Sequence, residues 1–436
     1  MRLAILGGGG FRVPLVYREL LRRPELGIRE LVLADPDQAR LAVIARIAQG
    51  TPALTVRLTG SLAEAVAGAD FVFSAVRVGG AAGRAADERR AIRAGLLGQE
   101  TVGAGGLAYA LRTLPTAWRI ARSVADLAPA AWLINFTNPA GLITEASRAE
   151  LGDRVIGICD SPAGLVARAA RALGRPVTEL TPDYLGINHL GWLRALRRGA
   201  EDLLPGLIEN TEQLLAIEEG RLLGASMIRW QHAIGNEYLY FYYHSRELAA
   251  AQQAGRTRGE LLRDEQEAFY AAAAADPDRT AQLWEQARRR REESYLAEAR
   301  STERDVEDLA GGGYERIAVQ LLHALSGGPA RQLILNVANG TAVDGLPSEL
   351  VIETNCAVDR TGARPLPAAT PAPHQLGLIT GVRAAERGII EAARVGSYDA
   401  ALHAFTIHPL VASEQAARQV LDDLLATDPG LPIRRD

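Results

Sequence analysis

The first third of the chain alternates short apolar runs with longer stretches in which apolar residues recur at helical spacing. Turn residues bound each apolar run, as is typical of strands that are buried on both faces of a parallel sheet. Alternation of such strands with helices predicts an α/β fold with helices on both faces of the sheet. The predicted strands are residues 3–6, 31–34, 71–76, 132–135 and 155–158.

Helix-start signals lie between these runs. Ser61 and Glu64 have the spacing of a capping box. Asn138-Pro139 and Ser161-Pro162 each place a capping side chain before a proline suited to a first helical turn. We therefore expect Ser61, Asn138 and Ser161 to cap helices.

Beyond about residue 190 the pattern becomes more helical, and two strand-like runs return near the carboxyl end. A chain of 436 residues exceeds the size of one ordinary core. We expect a Rossmann-like domain at 1–190 and an α+β domain at 191–436. The helical stretches are 207–224, 246–274 and 281–308, and the strand-like runs are 332–337 and 349–357.

The composition excludes several classes of protein. Hydrophobic residues make up 48% and charged residues 23%, and the formal net charge of -4 leaves no basic stripe for nucleic acid. No run is long and apolar enough for a membrane helix, and the first residues lack the pattern of a secretory signal. Only two cysteines occur, too few for a disulfide framework. We expect a cytoplasmic protein with no nucleic-acid or membrane partner.

A glycine-rich loop follows the first predicted strand and precedes a helical stretch, where a dinucleotide pyrophosphate approaches the backbone of a Rossmann fold. The usual glycine spacing is broken because Arg12 stands at the third glycine position, and a flexible turn is the alternative interpretation. The loop residues that we expect to contact a cofactor are Gly7, Gly8, Gly9, Gly10, Phe11 and Arg12.

Asp35 ends the second predicted strand. An acidic side chain there accepts hydrogen bonds from an adenosine ribose and repels a 2′-phosphate, which favours NAD over NADP. A plain turn residue before Pro36 is the alternative. The order of strand, glycines and acid favours the cofactor site.

Four further segments occur in order: GGAAGRAADE at 79–88, GQET at 98–101 followed by a glycine pair, NFTNPAG at 135–141 and NHLGW at 188–192. Together they resemble the family 4 glycoside hydrolases, specifically their 6-phospho-β-glucosidase branch. The resemblance extends to the NVANG segment at 336–340. It implies a small phosphorylated glycoside as substrate, NAD⁺ and a divalent metal, Mn²⁺, as cofactors, a carboxyl-terminal domain for substrate, metal and assembly, and a homodimer or homotetramer.

The resemblance also implies a redox-assisted elimination, which differs from the two-carboxylate scheme of most glycosidases. NAD⁺ takes hydride from C3 of the sugar, a tyrosine removes the C2 proton, the aglycone leaves C1, water adds and the hydride returns. A C2 proton next to a metal-polarised ketone is acidic enough for a side-chain base, whereas an ordinary sugar proton is not.

The metal ligands that the resemblance implies are Cys159 and His189. A thiolate and an imidazole form an incomplete set, which leaves positions for sugar oxygens and suits catalysis. Cys159 follows a predicted strand, at the edge where open α/β sheets bind ligands. Without the resemblance, both residues would be interpreted as core packing.

The catalytic residues that the resemblance implies are Tyr238, the base at C2, and Asp160. The segment after Tyr238 departs from the family, because Tyr240 replaces an arginine and Phe241 a tyrosine. An acid at the position of Asp160 protonates the leaving oxygen in α-specific members, whereas many β-specific members carry asparagine. The anomeric preference therefore stays open.

The substrate-binding residues that the resemblance implies are Arg84, Asn138 and Arg258, with Arg12 as a replacement donor because the first loop lacks the family's hydroxyls. A surface position is the alternative for any single arginine. Four other functions stay open: a 6-phospho-α-glucosidase, a glycosidase of unphosphorylated or uronic acid sugars, a 2-hydroxy acid dehydrogenase of the lactate or malate kind, and a non-catalytic NAD-binding regulator.

Overall fold

The computed structural model describes residues 1–294 and 313–435. Its strands are β1 (Arg2–Leu6), β2 (Glu30–Ala34), β3 (Thr55–Thr59), β4 (Phe71–Ser74), β5 (Trp132–Asn135), β6 (Val155–Gly157), β7 (Thr181–Ile187), β8 (Leu190–Arg198), β9 (Glu201–Asp202), β10 (Ile234–Gly235), β11 (Arg331–Ala338), β12 (Val351–Asp359) and β13 (Gly362–Pro365). They all join one mixed sheet.

The helices surround this sheet. They are α1 (Val13–Leu21), α2 (Gln38–Ala45), α3 (Leu62–Val66), α4 (Gly80–Arg93), α5 (Gly103–Leu127), α6 (Ala140–Leu151), α7 (Ser161–Ala172), α8 (Leu204–Glu209), α9 (Thr211–Ala216), α10 (Glu218–Leu223), α11 (Ala225–Gln231), α12 (Leu239–Tyr243), α13 (Ser245–Gln252), α14 (Arg258–Ala275), α15 (Thr280–Glu293), α16 (Tyr314–Leu325), α17 (Pro373–Val395), α18 (Tyr398–Ile407) and α19 (Glu414–Thr427).

One half of the sheet is parallel, with the strand order β3-β2-β1-β4-β5-β6. This is the order of a dinucleotide-binding Rossmann fold, and it confirms the predicted fold class. All five predicted strands are present. The order of the strands reverses beside β1, so the carboxyl ends of β1 and β4 flank the crevice where such sheets bind their ligands.

The other half of the sheet is antiparallel. Strand β11 pairs with β6 in the opposite direction, and β12, β7, β8 and β10 continue from it. The sheet therefore runs without interruption from the amino-terminal region into the carboxyl-terminal region. The expected division at residue 190 coincides with the turn between β7 and β8, and it stays a prediction.

The predicted helix starts are only partly correct. Ser61 caps α3 by accepting a hydrogen bond from the Glu64 backbone, but the Glu64 carboxylate bonds Thr59 instead of completing the box. Helix α6 begins after Pro139 and α7 begins at Ser161, and neither has a side-chain cap. Asn138 and the Ser161 hydroxyl are thereby left for other contacts.

The long polar and apolar stretches are divided more finely than predicted. The stretch 207–224 contains three short helices, and 246–274 is interrupted before α14. The predicted stretch 281–308 begins as α15, and its later part lies outside the described residues. Near the carboxyl end, α17 packs on α18 and on α5. Within 1–294 and 313–435, no helix has the length and apolar character that spanning a membrane requires.

Candidate active site

The glycine loop turns tightly between β1 and α1. Gly7 has a φ of 84°, and a Cβ added to it would lie 2.6 Å from the Ala75 carbonyl oxygen. A Cβ on Gly8 would lie 2.7 Å from the Ala34 backbone nitrogen. Both positions therefore exclude any side chain, as a close backbone approach requires. The loop opens at the carboxyl end of β1, where a dinucleotide binds in this fold.

Asp35 lies directly after β2 and faces this loop. Its carboxylate accepts hydrogen bonds from the backbone N–H of Gly9, at 3.0 Å, and of Asp37, at 2.9 Å. Burial raises the pKa of Asp35, and the two backbone donors oppose that rise. Asp35 therefore organises the glycine loop itself, and its binding to a ribose stays a prediction.

Cys159 and His189 come from different halves of the sheet, with β11 and β12 between β6 and β7. Cys159 follows β6 and is buried, and burial followed by the charges of Glu353 and Asp160 raises its thiol pKa. His189 is buried in the turn between β7 and β8, where its φ is 63°. A non-glycine residue in this conformation is uncommon and is often held by function.

Tyr238 lies against His189. Their rings stack with centroids 3.7 Å apart and an interplanar angle of 2°. Burial, then the charges of Cys159 and Glu237, raises the pKa of the Tyr238 phenol. The Ser161 hydroxyl, two residues after Cys159, donates to Glu237, the residue before Tyr238, at 2.6 Å. The segments of Cys159, His189 and Tyr238 thus meet, although they are far apart in sequence. Since the protein groups alone disfavour the phenolate, a base at this position needs a cation beside it.

The donor set fits a catalytic divalent metal. Burial lowers the pKa of His189 to about 3, which keeps the imidazole neutral, and its buried Nδ1 has no protein partner in the part of the chain that the structure describes. A neutral imidazole is a common ligand of divalent metals, and a cysteine coordinates as the thiolate, so a bound metal would have to reverse the rise in the Cys159 pKa. Within 1–294 and 313–435, no group of three His, Cys, Asp or Glu side chains could hold a metal. The assignment of Cys159 and His189 as metal ligands stays a prediction.

Arg12 and Asp160 meet at the edge of this cluster. The Arg12 Nη1 lies 3.7 Å from the Asp160 Oδ2, and its guanidinium also lies 4.0 Å from Glu292. The Arg12 guanidinium packs over the Tyr314 ring at 5.3 Å, and the Tyr314 hydroxyl donates to the Arg12 carbonyl at 2.7 Å. The predicted acid is therefore an ion-pair partner of a predicted cofactor-loop residue.

The three predicted substrate residues differ in their availability. Arg84 is nearly buried and donates to Glu88 at 2.8 Å and to Glu100 at 2.6 Å. Arg258 donates to the Ser294 carbonyl and hydroxyl, both at 2.6 Å. Asn138 keeps a buried Oδ1 without a partner among the described residues. Such an atom is costly unless a ligand or water satisfies it, so Asn138 fits a ligand contact best.

Two family models cover most of the chain. Residues 2–175 match the family 4 glycosyl hydrolase model, and residues 184–411 match the family 4 glycosyl hydrolase C-terminal domain. The chain belongs to glycosyl hydrolase family 4. The resemblance that the sequence motifs carry is thereby confirmed.

Relatives in family 4 extend along the whole chain. A 6-phospho-beta-glucosidase from Escherichia coli (strain K12) is 29% identical, over 99% of this chain and 96% of its own length. The structure of the 6-phospho-beta glucosidase from Thermotoga maritima with manganese, NAD⁺ and glucose-6-phosphate matches with a TM-score of 0.85 and 25% identity, covering 100% of both chains. A 6-phospho-alpha-glucosidase from gut microorganisms, in complex with NAD and glucose-6-phosphate, matches with a TM-score of 0.85 and 26% identity, covering 99% of this chain and 98% of its own.

The structure of this family 4 chain adds buried carboxyl groups that the sequence motifs did not indicate. Glu353 lies in β12 and accepts hydrogen bonds from Asn336, at 2.8 Å, and Tyr184, at 3.3 Å. Burial raises its pKa to about 8. Glu237 precedes Tyr238 and accepts from the Ser161 hydroxyl at 2.6 Å. The sequence alone does not show that Glu237 and Glu353 are buried, because their burial depends on how distant elements pack.

Arg168 is the cation of a second buried group. Its Nε donates to Glu219 at 3.0 Å, and its Nη2 lies 3.9 Å from Glu237. Glu218 lies 3.9 Å from the same guanidinium. This group connects α7, which follows Cys159 and Asp160, to α10 and to the segment that carries Tyr238.

Proposed function

We propose that this family 4 enzyme hydrolyses 6-phospho-β-glucosides and uses NAD⁺ and a divalent metal, Mn²⁺, within each turnover. The observation that carries the proposal is the meeting of Cys159, His189 and Tyr238 at the carboxyl edge of a Rossmann sheet. A lactate- or malate-type dehydrogenase has no use for a base stacked on a candidate metal ligand. The Escherichia coli and Thermotoga maritima relatives support the β-glucosidase activity and its cofactors.

The residues divide the proposed chemistry between them. When bound, NAD⁺ would accept a hydride from C3 of the sugar, and the metal would polarise the ketone that results. Cys159 and His189 would hold the metal beside the ring. Tyr238 would remove the C2 proton and return one when the hydride returns. The Asn138 Oδ1, which has no partner among the described residues, would accept a hydrogen bond from a sugar hydroxyl.

Asp160 bears on the anomeric preference. In the family it serves α-specific members as the acid that protonates the leaving oxygen, which requires a carboxylic acid with a free path to that oxygen. Here its carboxylate lies 3.7 Å from the Arg12 guanidinium. This contact favours an ion-pair role and the β assignment. The α-glucosidase from gut microorganisms keeps the α-anomer as the second candidate substrate.

The test is a substrate panel. The purified protein is incubated with NAD⁺, Mn²⁺ and a reducing agent, together with nitrophenyl 6-phospho-β-glucoside, its α-anomer or either unphosphorylated glycoside. We expect nitrophenol release from the phosphorylated β-glycoside that needs both NAD⁺ and metal and leaves no net NADH. Release that continues in excess chelator, or net NADH formation, would contradict the proposal.

A cysteine pair provides the matched control. Cys159→Ser replaces a proposed metal ligand, and we expect it to weaken Mn²⁺ binding by at least about 10-fold, measured by titration calorimetry. Cys356 is equally buried but lies in β12, where its thiol contacts the Thr354 carbonyl. Cys356→Ser should keep the wild-type Mn²⁺ affinity. A cytoplasmic location and a homodimer or homotetramer remain predictions, which fractionation and light scattering would test.

A further inference from the structure

Four arginines converge beside the proposed site. Arg12 comes from the glycine loop, Arg84 from α4, Arg258 from the start of α14 and Arg291 from the last turn of α15. The Arg258 guanidinium donates to the Arg291 carbonyl at 2.9 Å, which joins the ends of α14 and α15. Arg291 did not stand out in the sequence, because it lies in a run of basic residues that resembles a solvated helix end.

Arg291 differs from Arg12 and Arg84 in its partners. Arg84 pairs with Glu88 and Glu100, and Arg12 lies near Asp160 and Glu292. No carboxylate of residues 1–294 and 313–435 lies within 4.0 Å of the Arg291 guanidinium. Arg291 is partly buried. Desolvation, then repulsion by Arg12, Arg84 and Arg258, lowers its pKa to about 9, and the charge of the adjacent Glu292 opposes this shift. The fold thus holds this cation in surroundings that are unfavourable for it without an anion.

The position of Arg291 relates it to the predicted reaction centre. Glu292, the next residue, lies 4.0 Å from the Arg12 guanidinium, which itself lies 3.7 Å from Asp160. The same helix contacts the glycine loop, because the Trp284 Nε1 donates to the Phe11 carbonyl at 2.7 Å. Glu100 itself is neutralised by Arg77, at 2.7 Å, and Arg84, at 2.6 Å. On this side of the site, Arg291 therefore has no ion pair with the described residues, although the adjacent Glu292 contributes an opposing charge.

We propose that Arg291 is the specificity-determining residue that pairs with the phosphate of the 6-phospho-glycoside. This inference rests on the proposed function and assigns the phosphate contact to a residue outside the family motifs. A guanidinium binds two phosphate oxygens at once, and the neighbouring arginines add attraction for a dianion. The phosphate would supply the counter-ion that the fold leaves out.

The test compares Arg291→Gln with Arg289→Gln. Arg289 lies on the same helix, is 70% exposed and lies 3.7 Å from Glu285, so its loss removes the same charge from a surface position. We expect Arg291→Gln to weaken glucose 6-phosphate binding to the NAD-loaded protein by about 10- to 100-fold in calorimetry, the range for a lost charged hydrogen bond. Arg289→Gln should bind as the wild type does.

Kinetics and stability separate a specificity role from a structural role. In Arg291→Gln the ratio of kcat/KM for the phosphorylated glycoside to that for the unphosphorylated one should fall by the same factor. In phosphate-free buffer its Tm should be unchanged or higher, because the repulsion among the arginines is relieved. An equal loss on both glycosides together with a lower Tm would show a structural role and overturn the inference. Unchanged glucose 6-phosphate affinity would also overturn it.

The result for Arg291→Gln can be interpreted even if the proposed function is wrong. Wild-type protein that binds glucose 6-phosphate but hydrolyses no member of the panel would contradict the glycosidase proposal and leave the anion site testable by calorimetry. Wild-type protein that binds glucuronate tightly and glucose 6-phosphate weakly would overturn the phosphate assignment. Wild-type hydrolysis with unchanged phosphate preference in Arg291→Gln would contradict the inference alone.

Discussion

At the residue scale, the chemistry depends on how a phenol becomes a base. An unperturbed tyrosine has a pKa of about 10, and in this site burial and the charges of Cys159 and Glu237 raise that of Tyr238 further. A divalent cation held by Cys159 and His189 would act in the opposite direction, since it favours the anionic form. The protein surroundings and the metal are thus expected to oppose each other at Tyr238.

Removal of the Tyr238 hydroxyl tests this assignment. Tyr238→Phe keeps the ring that stacks on His189 and removes the base, so we expect kcat to fall about 10²- to 10⁴-fold with Mn²⁺ affinity and Tm retained. Tyr243→Phe is the matched control, because Tyr243 lies at the end of α12 and its hydroxyl contacts Gln231 at 3.4 Å. Wild-type kcat in Tyr238→Phe would assign the base to another residue, with Tyr240 and Tyr242 as the next to be changed.

Some site residues could be predicted from the sequence because a motif carries them. Cys159, His189 and Tyr238 lie in segments that resemble the family, and the structure brings these segments together. Arg291 and Glu353 could not be predicted in this way. The burial of Glu353 and the partial burial of Arg291 depend on contacts between elements distant in sequence, such as the pairing of β12 with β11 and β7 and the packing of α15 near the glycine loop.

At the element scale, burial decides which strands the sequence predicts. Strands β1, β2 and β4 are almost wholly buried, and their continuous apolar runs are evident in the sequence. Strand β3 has the residues TVRLT and is mostly exposed at the sheet edge, so its polar positions gave no strand signal. The helix starts at Asn138 and Ser161 were displaced because proline fixes the first turn without fixing which residue caps it.

The buried pairing of Arg168 connects three elements and gives a stability prediction. Arg168→Met leaves the fully buried Glu219 without its bidentate partner, which should cost about 3–5 kcal/mol in unfolding free energy. The double variant Arg168→Met/Glu219→Gln removes both charges and should lose clearly less. Thermal unfolding of Arg168→Met, Glu219→Gln and the double variant measures this coupling. A double variant that loses the sum of the two single losses would show that the pair is not coupled.

At the scale of the whole molecule, one sheet carries both the nucleotide crevice and the antiparallel strands beside the proposed metal ligands. The carboxyl-terminal helices α17 to α19 pack back on α5 and on one another, so the two halves share cores. His408 lies after α18 in this packing, is 2% exposed, and accepts a hydrogen bond from the Leu410 backbone at 3.0 Å.

Acid should destabilise the whole chain in part through this histidine. Burial lowers the pKa of His408 from 6.5 to about 3, so the unfolded chain binds a proton that the folded chain rejects. The contribution of neutral His408 to the free energy of unfolding is present above pH 6.5. It is lost as the pH falls toward 3, at about 1.4 kcal/mol per pH unit. His408→Gln should therefore reduce the drop in Tm between pH 7 and pH 5 by about 2 °C. An unchanged drop would contradict this contribution.

The central claim is that the glycosidic bond breaks by removal of a proton from C2 of the sugar. The most direct measurement is NMR of the product formed in D₂O with NAD⁺ and Mn²⁺ present. We predict that the glucose 6-phosphate released from a 6-phospho-β-glucoside carries deuterium at C2, because the proton that Tyr238 removes exchanges before one is returned. Complete hydrolysis with only hydrogen at C2 would contradict the account.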